Sequence, residues 1–95
     1  MGPSLRIARA GLPPQRIPLL AKQLWLGRSQ TNDLPYPDDG LLSRNHLVFL
    51  PKADGWAVRE LDTKNGTRLN GEPLRGERLL ASGDVLTAGE LVIEF

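Results

Sequence analysis

Apolar and polar positions alternate with a period of two over several short stretches. Leu5, Ile7 and Arg9 alternate with Arg6, Ala8 and Ala10. Leu47 and Phe49 alternate with Val48 and Leu50, and Leu91, Ile93 and Phe95 with Val92 and Glu94. Successive side chains of an extended chain point to opposite faces, so this period predicts strands. The pattern places them over Leu5–Ala10, Arg16–Lys22, Leu24–Gly27, His46–Leu50, Trp56–Leu61, Thr67–Leu69, Arg78–Leu80, Asp84–Ala88 and Leu91–Phe95. Short further strands are expected near Leu34–Tyr36 and Pro73–Leu74. Asp54-Gly55, Asn70-Gly71 and Ser82-Gly83 read as turns. Nine to eleven short strands with turns at this frequency predict an all-β chain folded as a β-sandwich.

Composition sharpens this in one respect and opposes it in another. Ten glycines and eight prolines in 95 residues leave no breaker-free run longer than ten residues. An average helix takes about 11–12, which argues against a helical bundle, a coiled coil or a doubly wound α/β fold. Against this, leucine occurs 18 times and valine plus isoleucine only seven, a balance that favours helix over strand. The spacing decides for strands. No apolar run approaches the ~20 residues of a membrane span, so no membrane insertion is expected. Residues 1–95 read as one domain, and the chain stops on its last strand like a module of a longer protein. There is no cysteine and a single histidine, His46, so neither a disulfide framework nor a cysteine- or histidine-rich metal site is expected. The N-terminus has no continuous apolar h-region. A cytoplasmic domain without a cofactor is the expectation.

The net charge of +1 matters less than its distribution. Residues 1–32 carry Arg6, Arg9, Arg16, Lys22 and Arg28 and no acid; the remaining 63 carry seven bases and eleven acids. A nucleic-acid binder shows a basic stripe and a high pI. A pI of about 8.2, with no aromatics interleaved among these arginines, makes nucleic acid an unlikely partner. The longest loop runs from Ser29 to Arg44 and holds Asn32-Asp33, Pro35, Pro37, Asp38-Asp39 and Gly40. A loop of this length in a small domain is functional or mobile.

Three loop segments carry the candidate chemistry: Gly27-Arg28-Ser29, Ser43-Arg44-Asn45-His46 and Asn65-Gly66-Thr67, followed by Asn70-Gly71 and later by Gly83-Asp84 and Gly89. Arginine offers a planar fork for phosphate or carboxylate. Serine adds a short donor, and asparagine both donates and accepts, which suits a peptide backbone. In order and approximate spacing, these segments from Leu24 to Phe95 resemble the forkhead-associated (FHA) domain.

The resemblance implies an eleven-stranded, mainly antiparallel β-sandwich with phosphothreonine-peptide-binding loops at one end. It implies that Arg28 and Ser43 contact the phosphate, and that Arg44 also reaches it. Asn65 matches the asparagine that hydrogen-bonds the ligand backbone. Gly27, His46, Gly66 and Asn70 match residues that shape the site without touching ligand. Lys64 stands where the family often has serine or threonine; lysine there either adds a phosphate contact or crowds the methyl pocket. The stretch from Asn32 to Ser43 is one residue longer than the common pattern, which leaves the path of this loop open.

The function so implied is a non-enzymatic, phosphothreonine-dependent interaction module. It tethers its host to phosphothreonine-containing proteins, the substrates of Ser/Thr kinases, and prefers phosphothreonine to phosphoserine. The alternative is a phospho-independent scaffold that assembles through the sandwich face or the basic N-terminal strands. His46 reads as structural, because no second histidine, cysteine or carboxylate dyad accompanies it for acid–base work. Trp25 and Trp56 read as packing residues within strands.

Overall fold

The computed structural model describes residues 2–95. Eleven strands follow one another, with no helix among the described residues: β1 (Ser4–Arg9), β2 (Leu12–Pro18), β3 (Leu24–Gly27), β4 (Leu34–Pro35), β5 (Leu47–Lys52), β6 (Gly55–Glu60), β7 (Arg68–Leu69), β8 (Glu72–Pro73), β9 (Glu77–Leu79), β10 (Val85–Ala88) and β11 (Leu91–Glu94). They form two sheets, ordered β2-β1-β11-β10-β7-β8 and β4-β3-β5-β6-β9. Every pairing is antiparallel except β3 with β4, which run parallel.

The period of two becomes the core. Ile7 pairs with Ile93, Ile93 with Leu86 and Leu86 with Leu69, a single apolar row across four strands. Leu24, Phe49 and Val58 form the facing row of the other sheet. Phe49, Leu5, Leu26, Leu47, Leu86, Leu91 and Ile93 are fully buried or nearly so. Each such side chain contributes roughly 1.5–3 kcal/mol, which is how a leucine-rich chain holds a sheet despite its modest strand propensity. Trp56 joins this core. Trp25, placed opposite Val48 on the outer face, is half-buried and lies outside it.

Most strands fall within one or two residues of the expected bounds, and one departs further. β2 begins at Leu12 and ends at Pro18, so the expected strand over Arg16–Lys22 is displaced toward the N-terminus. The reason is an unrecognised hairpin. Arg9 pairs with Leu12 across a two-residue turn, Ala10-Gly11, and the register shifts between Ile7 and Arg9. Pro13 and Pro14 fit this strand because β2 is an edge and the pair lies at the register shift, where the ladder to β1 is interrupted. Of the expected turns, Asn70-Gly71 joins β7 to β8 with positive φ at both residues (52° and 85°), the geometry of a type I′ hairpin. The β5–β6 turn is centred one residue earlier than expected, on Ala53-Asp54, with Gly55 paired to Lys52.

Candidate functional site

The loops carrying Arg28 and Ser43 are joined backbone to backbone. The Arg28 N–H donates to the Ser43 carbonyl (3.0 Å) and the Ser29 N–H to the Arg44 carbonyl (3.1 Å). This approach needs Gly27: a Cβ there would fall on the Arg44 carbonyl oxygen. Asn32 fastens the same junction, donating from Nδ2 to the carbonyls of Ser29 (2.8 Å) and Arg44 (2.7 Å). The path of the long loop is thereby set. It is tied again where the Tyr36 N–H meets the Gly27 carbonyl (2.9 Å) and at Asp39. The fully buried Asp39 carboxylate accepts N–H bonds from Leu41 (3.0 Å) and from Glu90 (2.7 Å) on the β10–β11 hairpin.

The segment carrying Asn65 is fixed to these loops from below and from above. His46 is fully buried beneath. Its Nδ1 accepts the Ser43 N–H (3.0 Å), which leaves the proton on Nε2, facing the Gly66 carbonyl (3.0 Å) and Thr67 Oγ1 (3.1 Å). Burial, first of all, lowers the His46 pKa from its ordinary 6.5; the Gly66 bond and the charges of Glu60 and Asp39 work the other way. With both ring nitrogens occupied, His46 is a neutral strut between two loops and has no free nitrogen for proton transfer. Gly66 takes φ +77°, a conformation L side chains rarely adopt. Above, Ser43 Oγ accepts the Lys64 N–H (3.1 Å), and Asn65 Nδ2 donates to the Leu41 carbonyl (2.9 Å).

These fixed bonds define what is left for a ligand. Arg28 donates from Nε to the Leu42 carbonyl (3.2 Å), which orients its fork while leaving both Nη groups. The Ser43 hydroxyl keeps its proton to donate, and Asn65 keeps its carbonyl oxygen to accept. Arg28, Arg44, Lys64 and Asn65 are exposed and Ser43 half-buried. The one ion pair among the described residues joins Lys52 to Glu77 (3.0 Å), so the three site cations have no carboxylate partner. Beside them lies a cavity of about 380 Å³, lined by Leu41, Asn65, Gly66, Thr67, Arg68, Pro73, Thr87 and Gly89. The arrangement suits an anion followed by an extended chain.

The structure thus brings Gly27, Arg28, Ser43, Arg44, His46, Lys64, Asn65 and Gly66 together. Asn70 stands apart: it bonds Asp84 Oδ1 (3.0 Å) and the Val85 N–H (2.9 Å), and no hydrogen bond joins it to the other site residues. The sequence reading gave no role to Asn32, Asp39 and Thr67. Asn32 and Asp39 look like ordinary loop residues until their partners, 12 and 51 residues away, are known.

The family model for the FHA domain matches residues 24–89. A curated relative, the ABC transporter ATP-binding/permease protein Rv1747 of Mycobacterium tuberculosis, is 33% identical over 91 residues, which is 96% of this chain. The chain spans about a tenth of that relative's length (10%). Among solved structures, an FHA domain from work on phosphothreonine-dependent FHA domain interactions superposes with a TM-score of 0.81 at 27% identity, over 97% of this chain and 94% of its own. The FhaA FHA domain, complexed with the intracellular domain of Rv3910, gives a TM-score of 0.80 at 27% identity, over 96% and 98%. The FHA domain of CT664 from Chlamydia trachomatis shares the fold at a TM-score of 0.85 and 20% identity, over 96% and 92%. On its matched segment, its eleven strands and its two sheets, this chain belongs to the FHA domain family.

Proposed function

We propose that the chain is a non-catalytic, phosphothreonine-dependent protein-interaction module that tethers its host to targets of Ser/Thr kinases. The observation that carries this reading is the Arg28–Ser43 junction: three unpaired cations and a free hydroxyl proton beside an exposed asparagine held through its Nδ2, its carbonyl oxygen left to accept. A phosphothreonine carries about −1.5 to −2 charges and three strong acceptor oxygens. Arg28, Arg44, Ser43 and Lys64 satisfy these with charge-assisted hydrogen bonds. Asn65 accepts a backbone N–H of the extended peptide, and Gly27, His46 and Gly66 hold the loops. This is phospho-motif recognition by an arginine cluster. Residues 1–95 serve as one cytoplasmic module of a longer protein, in keeping with the small share of the curated relative that they span. FHA neighbours described by their phosphothreonine dependence support the ligand class.

Fluorescence anisotropy with matched phosphothreonine, phosphoserine and unmodified peptides tests the reading. Phosphothreonine should bind tightest and the unmodified peptide should not bind. Arg28→Ala should cost about 2 kcal/mol or more, the scale for one partner of a desolvated charge pair. Equal binding of all three peptides, or a dissociation constant indifferent to Arg28→Ala, overturns it.

A further inference from the structure

A second cleft lies on the other flank of the long loop, and the function above does not use it. It encloses about 320 Å³ between the β1–β2 hairpin and the loop after β4, lined by Ile7, Arg9, Leu12, Pro13, Pro14, Gln15 and Tyr36. Its position follows from the topology. β2 is an edge of one sheet and β4 an edge of the other. The long, 3.4 Å bond between the Tyr36 hydroxyl and Gln15 Oε1 spans the gap between them. The cleft reaches down to the edge of the core on this side of the sandwich, with the buried Ile7 as its floor.

The walls are chiefly apolar, and the polar groups are few and convergent, as in ligand sites generally. Leu12 is 58% exposed. Arg9 is half-buried, yet no carboxylate pairs with it; the only ion pair among the described residues is elsewhere. Burial raises the Tyr36 pKa above 10, with the Arg9 charge opposing, so the phenol stays protonated as a donor. A half-buried cation at the rim of an apolar cleft is complementary to a carboxylate beside an apolar side chain.

Two features narrow the occupant further. The prolines of β2 remove donors from this edge, which disfavours extension of the sheet by a ligand strand there. Arg6 and Arg16 pair across the hairpin one position out of phase with Ile7 and Gln15, so they leave from the opposite face of the sheet and Arg9 is the cation that lines the cleft. An unpaired cation at the rim draws an acidic segment to it.

We propose that this cleft is a second, phosphate-independent docking site for a segment of a protein partner in which an acidic residue adjoins a large apolar one. The carboxylate meets Arg9. The apolar side chain covers Leu12 and Ile7. The proposal does not depend on phosphothreonine recognition, since the two sites share the loop but no side chain.

The test pans the wild-type domain against a phage-displayed library of random unphosphorylated peptides. Enriched sequences should pair Asp or Glu with Leu, Ile or Phe, and the synthetic consensus peptide should bind in fluorescence anisotropy. Arg9→Glu should weaken it about tenfold or more, a charge reversal at a paired site. Leu12→Ser, at an exposed position that tolerates polarity, should weaken it severalfold, and Arg28→Ala should leave it unchanged. The proposal is overturned by absence of enrichment, by a consensus without an acid or by binding indifferent to both cleft variants. Competition by a phosphothreonine peptide overturns it too, as does a self-associated domain in sedimentation that Leu12→Ser dissociates.

Discussion

Two polar clusters fasten turns in this chain, and they are built in opposite ways. Beneath Arg28, Ser43 and Asn65 the fastenings are Asn32, Asp39, His46 and Thr67, the four buried polar side chains among the described residues. At the β7–β8 turn and the start of β10 they are Asn70 and Asp84, open to water, where Asp84 also accepts the Ala81 N–H (2.8 Å). A hydrogen bond in water contributes roughly 0.5–1.5 kcal/mol net, whereas a buried group left without its partner costs about 1–3 kcal/mol. The first cluster is therefore a seat whose parts fail together. The second is a local clip that water can replace. Exposed ligand-facing groups such as Arg28 gain their fixed geometry from the buried cluster, not from one another.

The sharpest way to break this contrast is at His46. His46→Ala removes the partner of the Ser43 N–H and the donor to the Gly66 carbonyl, and leaves a void. It should cost about 3 kcal/mol or more in urea denaturation, with phosphopeptide binding lost alongside. A cost no greater than that of Asp84→Ala would erase the distinction. Next is Gly27→Ala, whose Cβ meets the Arg44 carbonyl. Overpacking of this kind costs about 1–3 kcal/mol. Because it pries apart the Arg28–Ser43 junction, its effect on peptide affinity should exceed its effect on stability, and both are read on the same protein.

Acid should undo the clusters at different pH. The His46 pKa lies below its ordinary 6.5 in the folded chain. Between that lowered value and 6.5 the unfolded chain binds more protons, so stability rises with pH there and declines as pH falls below about 6.5. Asp84 is held below 3.8, first by the Ala81 N–H and then by Asn70. Its contribution has the same sign and is lost only as pH falls below about 3.8. Thermal melts without peptide, which avoid the phosphate's own ionisation near ~6, should show both limbs. Asp84→Asn should abolish only the lower one. The smallest effect belongs to Asn70→Gly. Glycine accepts the φ of +52°, so only the side-chain bonds are lost. Stability should fall by about 0.5–1 kcal/mol, and anisotropy should show unchanged peptide binding.

Much of this was legible in the sequence. Alternation at Leu5–Ile7 and Leu91–Ile93 is a local signal, and it identified the strands that form the core. The β1–β2 hairpin was not legible, because Ala10-Gly11 is a weak turn dipeptide and Pro13-Pro14 signals a break. Proline becomes acceptable in a strand only once that strand is known to be an edge, which is a property of the whole sheet. The same division runs through the site. Arg28, Ser43 and Asn65 sit in recognisable short motifs. Asn32 and Asp39 act through carbonyls and amides far along the chain, and no spacing rule anticipates those partners. Asn70 belongs to the same run of motifs yet serves the other cluster.

The Asp39–Glu90 bond also bears on when the site comes into being. Its partners are 51 residues apart, an interval that synthesis at about 5–20 residues per second covers in roughly 3–10 s. Until the last hairpin emerges and β11 pairs with β1, the long loop lacks its anchor, and Arg28 and Ser43 have no fixed seat. A nascent domain is therefore blind to ligand until its last hairpin has emerged, and recognition begins only when the sheet closes.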